Sequence, residues 1–197
     1  MIGAFQLGVV AAAIDSLVAP TGIAFTTGGS NLTYSLANQK VVSTSTWQTV
    51  PIVGAIATTG KFYIEFQVDN VATSNGPIIG VMVGAAIVPS RFIGDLLSSG
   101  SASVGVSTVR AEGAGWSVIS STNIPTHGLL VGVSVDMDAG DLRWYVSGVI
   151  QPNSQVQFPA HVSNLHFGIS SHPVYGGAQV MQSSANTPAG FSYFTGA

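Results

Sequence analysis

Residues 129–149 read LLVGVSVDMDAGDLRWYVSGV, and this stretch decides the fold. Val133 and Val135 alternate with Gly132 and Ser134. Trp144 and Val146 alternate with Arg143 and Tyr145 in the same way. A period of two is the signature of an extended strand with one face turned to a core. Between the two runs lies DMDAGD, where Asp138, Ala139 and Gly140 provide turn chemistry. The stretch therefore predicts an antiparallel hairpin, with Trp144 buried in a sandwich core. An exposed ligand platform is the alternative for that tryptophan.

Working outward, Lys61–Val68 (KFYIEFQV) alternates too, with Phe62, Ile64, Phe66 and Val68 on one side and Lys61, Tyr63, Glu65 and Gln67 on the other. It predicts a strand with a single buried face. Residues 78–88 (IIGVMVGAAIV), between Pro77 and Pro89, suit a buried strand through their Gly and β-branched content. Trp116 opens WSVIS, and further strands are expected at Leu165–Ile169 and Gly177–Gln182. Short runs rich in Val, Ile, Thr, Phe and Tyr, punctuated by Gly, Ser, Asn and Pro, continue from Thr21 to the end. This is the spacing of an all-β sandwich. Residues 21–197 read as one domain, and residues 1–20 as an N-terminal arm of different composition.

Only 7% of the 197 residues are charged, against about a quarter in an average protein, while 46% are hydrophobic and 24 are Gly. A net charge of −3, with Lys40, Lys61, Arg91, Arg110 and Arg143 scattered singly, offers no basic stripe to nucleic acid. High hydrophobicity with low net charge is the reverse of a disordered chain. No apolar run reaches the roughly 18–20 residues of a membrane-spanning helix, so no membrane partner is expected. The first 20 residues have the apolar middle of a secretory signal without a Lys or Arg before it, which disfavours that reading. With no Cys, disulfides, thiolate metal sites and cysteine nucleophiles drop out together.

No reactive constellation emerges, and the expectation is a protein that is not an enzyme, with no cofactor and no metal. Asp136, Asp138 and Asp141 imitate the start of a calcium loop, but the acid such a loop needs near its twelfth position is here Ser147. Hairpin turn chemistry explains these aspartates better. His161, His166 and His172 have spacings of five and six, which do not converge on one strand face. No G-x-S-x-G occurs, and Ser170-Ser171-His172 is mere adjacency. Glu65, Asp69, Asp95 and Glu112 remain formal candidates for a carboxylate pair. Trp116, His172 and Tyr175 are candidate contact residues in loops.

Several motifs resemble those of SPRY domains. Residues 59–66 (TGKFYIEF) are similar to the family's "GKYYWEV" strand, and Gly80-Val81 follows Ile79 where its "IGV" strand is expected. The hairpin Gly132–Val149 resembles "GVALDLDAGKLWFYKNGV", including a Ser147-Gly148 turn in place of Asn-Gly. Asn31-Leu32-Thr33 resembles the opening strand of phage-encoded versions, and Phe167-Gly168-Ile169-Ser170 lies where "PAVSL" is expected. Two positions depart from the pattern: Ile64 stands where Trp is common, and the closing "VTLNFG" is at best Ala178–Gln182. The resemblance implies an antiparallel two-sheet β-sandwich, a bent concanavalin-like jelly roll, that binds or scaffolds rather than catalyses.

A sandwich with hardly any charge and a short apolar arm fits a subunit that lives in contact with copies of itself or with a large assembly. The expectation is a bacteriophage virion structural protein at the particle surface: a capsid decoration (cement) protein or a head or tail fibre-like subunit. Its partners would be other virion proteins, such as the major capsid protein or portal and tail neighbours, and further copies of itself. The arm would anchor through Phe5, Leu7, Val9, Val10, Ile14 and Leu17. The competing expectation is a receptor- or carbohydrate-binding module that meets a host-surface glycan through Trp116, His172 and Tyr175.

Overall fold

The computed structural model describes residues 22–69, 76–96, 98–103, 109–120 and 129–196. In chain order the strands are β1 (Leu32–Ser35), β2 (Lys40–Ser43), β3 (Gln48–Pro51), β4 (Lys61–Val68) and β5 (Ile78–Val83). There follow β6 (Val88–Pro89), β7 (Ser99–Ser103), β8 (Val109–Glu112), β9 (Ser117–Ser120) and β10 (Leu130–Asp136). The last five are β11 (Asp141–Val146), β12 (Val149–Gln157), β13 (Leu165–Ser171), β14 (Ala178–Val180) and β15 (Ser192–Tyr193). The larger sheet runs β1-β2-β14-β4-β10-β11-β12-β9, and the smaller runs β6-β3-β13-β5-β7-β8. Every pairing is antiparallel except β15 on β4, which is parallel. The architecture is the expected all-β two-sheet sandwich.

The hairpin forms in the register its alternation requires, with Val133 opposite Trp144 and Asp136 opposite Asp141. Ser147 and Gly148 turn the chain between Val146 and Val149, both at positive φ (48° and 80°), as a two-residue turn between twisted strands demands. Val131, Val133, Val135, Leu142 and Trp144 are fully buried with Ile64, Phe66, Ile79, Val81, Phe167 and Ile169 from the facing strands. The Trp144 indole N–H donates to the carbonyl of Ile79 (3.0 Å), which satisfies the one polar atom this ring brings into the core.

The expectation of a single buried face on β4 fails at Tyr63 and Glu65, which are as buried as the core side of the strand. A strap formed by residues 181–194 covers them. Phe194 N–H donates to the Tyr63 carbonyl and Met181 N–H to the Glu65 carbonyl. Ser184 Oγ (2.7 Å), Asn186 Nδ2 (2.9 Å) and Tyr63 OH (3.1 Å) all donate to the Glu65 carboxylate. Burial raises the Tyr63 hydroxyl pKa first, and the Glu65 charge raises it further. Tyr193 is raised for the same first reason. Gly132 sits opposite Glu65, and a Cβ there would strike the Tyr63 hydroxyl, so only glycine leaves room for this bond.

The outer face of the smaller sheet is covered in a similar way by residues 90–96. Thr49 Oγ1 donates to the Arg91 carbonyl (2.9 Å), Ser101 Oγ to the Ile93 carbonyl (2.6 Å), and Ser170 Oγ accepts from Ile93 N–H (2.8 Å). Beneath this segment Ile78, Met82 and Ile93 form a second, small core. Hydroxyls on these outer faces hold covering segments rather than water.

Candidate functional site

A surface of four half-buried rings forms at one end of the smaller sheet. Gln48 on β3 pairs with Ser171 on β13, so Trp47 and His172, the next residue beyond each strand end, emerge side by side. Their ring centroids lie 5.1 Å apart. Tyr175 stacks on Trp47 at 5.4 Å and 27°, and lies 4.7 Å from His172. Phe92, delivered by the segment that crosses the smaller sheet, packs on Trp47 at 5.7 Å. Trp47 and Phe92 also pack against the small core of Ile78, Met82 and Ile93. The rings are thus braced from below and open above.

The loop between β13 and β14 is held tightly. Gly176 N–H donates to the His172 carbonyl (2.8 Å), and Val174 N–H donates to His172 Nδ1 (3.2 Å). Ser171 Oγ accepts from Ser43 N–H (2.9 Å) and donates to the Gly176 carbonyl (2.8 Å). Val174, 54% exposed, forms the outermost tip beside the rings. At the rim, Arg110 lies over the Phe92 ring (5.0 Å to the centroid) and pairs with Asp95 at 3.1 Å. A contact face of this kind offers flat aromatic area with a paired charge at its edge.

The sequence candidates fall out unevenly. His172 and Tyr175 are brought together as one surface. Trp116 is not part of it: it is 8% exposed, stacked on Phe158 at 5.1 Å, and belongs to the main core. The reason is its position just before β9, where the ring turns inward. Trp47 and Phe92 were missed, since only the long-range pairing of β3 with β13 places Trp47 beside the loop. The arm residues Phe5, Leu7, Val9, Val10, Ile14 and Leu17 lie outside the described residues.

Most of the remaining polar candidates have structural duties. Asp136 Oδ1 accepts the N–H groups of Asp138 (3.1 Å) and Ala139 (3.0 Å), and Asp141 binds Arg143 (2.6 Å). Burial tends to raise the Asp136 carboxyl, but Lys61 at 2.7 Å and those two N–H groups hold it below the usual carboxylate range. Asp69 pairs with Lys40, Asp95 with Arg110, and Glu65 with the strap. His166, buried on β13, contacts the Ile52 carbonyl and Asn164. Among the described residues, no three His, Asp or Glu side chains are grouped as a metal site.

No family model matches the chain, and no curated protein matches its sequence. Solved structures do match its fold. The TRIM65 PSpry domain aligns with a TM-score of 0.59 at 17% identity, over 82% of this chain and 93% of that one. The SPRY domain of human HERC1 aligns at 0.56 and 12% identity, over 78% and 93%. A further human SPRY domain aligns at 0.58 and 9% identity, over 80% and 99%. The fold is SPRY-like.

Proposed function

We propose that this chain is a non-catalytic protein-interaction module, and specifically a bacteriophage virion structural protein that sits on the particle surface as a capsid decoration (cement) or fibre-like subunit. The observation that carries the interaction role is the braced, half-open face of Trp47, Phe92, His172 and Tyr175. Such rings supply contact area with little conformational freedom to lose, and aromatic anchors dominate many interfaces. The assembly role draws support from the low charge of the chain and from the phage-like look of its opening strand. A specific contact to a capsid, portal or tail neighbour would bury about 1,200–2,000 Å² in total, with this face near its centre. The phage type, the virion partners and the surface location are parts of this proposal.

The test is co-purification with intact particles, comparing the native chain with Trp47→Ala/Tyr175→Ala. The expected outcome is particle-bound native protein and at least a tenfold loss of bound variant, about 1.4 kcal/mol in affinity. Equal occupancy by a folded variant would remove the aromatic face from the proposal, and absence of the native protein from particles would remove the virion role. The stacked Trp47–Tyr175 pair favours one second reading, a carbohydrate platform on a receptor-binding module. A glycan array probed with native protein distinguishes it, since that reading requires binding that Tyr175→Ala abolishes.

A further inference from the structure

We infer that this protein pairs with a second copy of itself across the outer face of the smaller sheet, in a two-fold contact that sets Arg91 of each copy against Glu112 of the other. The charge pattern of the chain carries the argument. Four of the five Lys and Arg side chains sit on a carboxylate: Lys40 on Asp69, Lys61 on Asp136, Arg110 on Asp95 and Arg143 on Asp141. The fifth, Arg91, is exposed and reaches only the backbone carbonyl of Asp95, at 3.5 Å. Glu112 is exposed as well. It is the one Asp or Glu among the described residues whose side chain has no bonding partner, since Glu65 holds the strap and Asp138 accepts from Gly60 N–H.

Both unpaired charges belong to the same face. The Arg91 carbonyl is held over β3 by Thr49, and the crossing segment then passes over β13 to β7, where Ser99 Oγ donates to the Leu96 carbonyl (2.6 Å). Glu112 on β8 stands opposite Ser99 in the ladder, so its side chain leaves the sheet on the side that residues 90–96 cross. Strands β3 and β8 are four steps apart in this sheet, roughly 19 Å at the usual strand spacing. The face thus carries a free cation toward one edge and a free anion at the other, with the neutral Arg110–Asp95 pair between them. A copy turned by 180° about an axis normal to the face brings each charge to its opposite, and two ion pairs form from one self-complementary patch. A foreign partner would have to carry the same two signs at the same spacing, whereas a second copy has them already. Contact across the axis also removes these charges from water, where an ion pair gains little, into an interface where it gains more.

This pairing does not depend on the virion reading, and it leaves His172 and Tyr175, beyond the end of β13, for another partner. Sedimentation velocity on the full chain, over about a hundredfold range of protein concentration, compares the native protein, Arg91→Glu, Glu112→Arg and an equimolar mixture of the two variants. The native chain is expected to dimerise. Each variant alone sets like charges together twice and should dimerise at least about tenfold more weakly, with Arg91→Gln, which deletes a charge without reversing it, in between. The mixture should recover the native dimer, because each variant supplies the sign the other lacks. A native chain that stays monomeric overturns the inference, as does a dimer indifferent to both reversals or a loss that mixing does not restore. Oligomers larger than a dimer overturn the two-fold arrangement.

Discussion

Two clusters of aromatic rings stand on the outside of this sandwich, and they meet opposite fates. On the larger sheet, Tyr63 packs edge-on against Tyr145 (5.5 Å) and Tyr193 (6.2 Å), and the strap closes over them. On the smaller sheet, Trp47, Phe92, His172 and Tyr175 pack just as closely and remain half open. Ring density therefore does not mark a site; what decides is whether the chain supplies a cover. The strap is fixed by a buried carboxylate that accepts from its Ser184 and Asn186, whereas the open face has its own loop as a rim and no segment above the rings among the described residues. The first cluster is spent on folding, and the second is available for contact.

The largest effect is expected where the cover is fastened. Glu65→Ala removes the acceptor of Ser184, Asn186 and Tyr63 at once; the buried Tyr63 hydroxyl left unpaired costs about 1–3 kcal/mol, and the half-buried Ser184 and Asn186 add smaller losses as the strap loosens. Denaturant unfolding should show a loss of several kcal/mol, or failure to fold, with Glu65→Gln intermediate. If Glu65→Ala unfolds at the native midpoint, the strap is not held by this carboxylate and the contrast between the clusters collapses. A smaller loss, about 1–3 kcal/mol, is expected for Gly132→Ala, because the new methyl collides with the Tyr63 hydroxyl. Gly132→Ala combined with Tyr63→Phe should recover part of it in the same measurement.

The strands with clean alternation were legible in the sequence; β2, β3, β7, β8 and β12 were not, and neither were the covers. KFYIEFQV and the 129–149 hairpin were placed to within a residue because alternation is local and a turn needs particular residues. The sequence alone does not say which of its many hydroxyls and amides face water. In the structure Thr49, Ser101 and Ser170 are buried beneath residues 90–96, and Glu65 beneath residues 181–194. No local pattern distinguishes a serine that faces water from one, such as Ser170, that holds a crossing segment 77 positions away. The same long-range dependence hid Trp47, whose neighbours are set by the pairing of β3 with β13, and misplaced Trp116, whose neighbour Phe158 lies 42 positions on.

The open face predicts the opposite balance from the strap. Trp47→Ala/Tyr175→Ala deletes half-buried rings, with Trp47 braced on Phe92 and the small core, so its cost to stability should be about 1–3 kcal/mol in total, below that of Glu65→Ala, even as contact with a partner is lost. A melting curve measured beside the particle-binding assay checks both halves. A large loss of stability would make this cluster a second sealed core and erase the difference.

The smallest effect lies at the outer end of the sealed region, where Lys61 reaches both Asp136 (2.7 Å) and the Phe191 ring of the strap (5.8 Å). Asp136 is held below its usual range when folded, so it stabilises the protein above the ordinary carboxylate pKa. That contribution is lost as pH falls through the lowered value. Lys61 is raised, so its share is present below the ordinary lysine pKa and lost as pH rises through the raised one. Because the pair is partly exposed, Asp136→Asn should flatten the acid side of the melting-temperature profile by only about 2 °C or less, and high salt should shrink the difference further. An unchanged acid slope would mean that the rim of the strap is fastened by Phe191 and β15 alone, with the ion pair as a bystander.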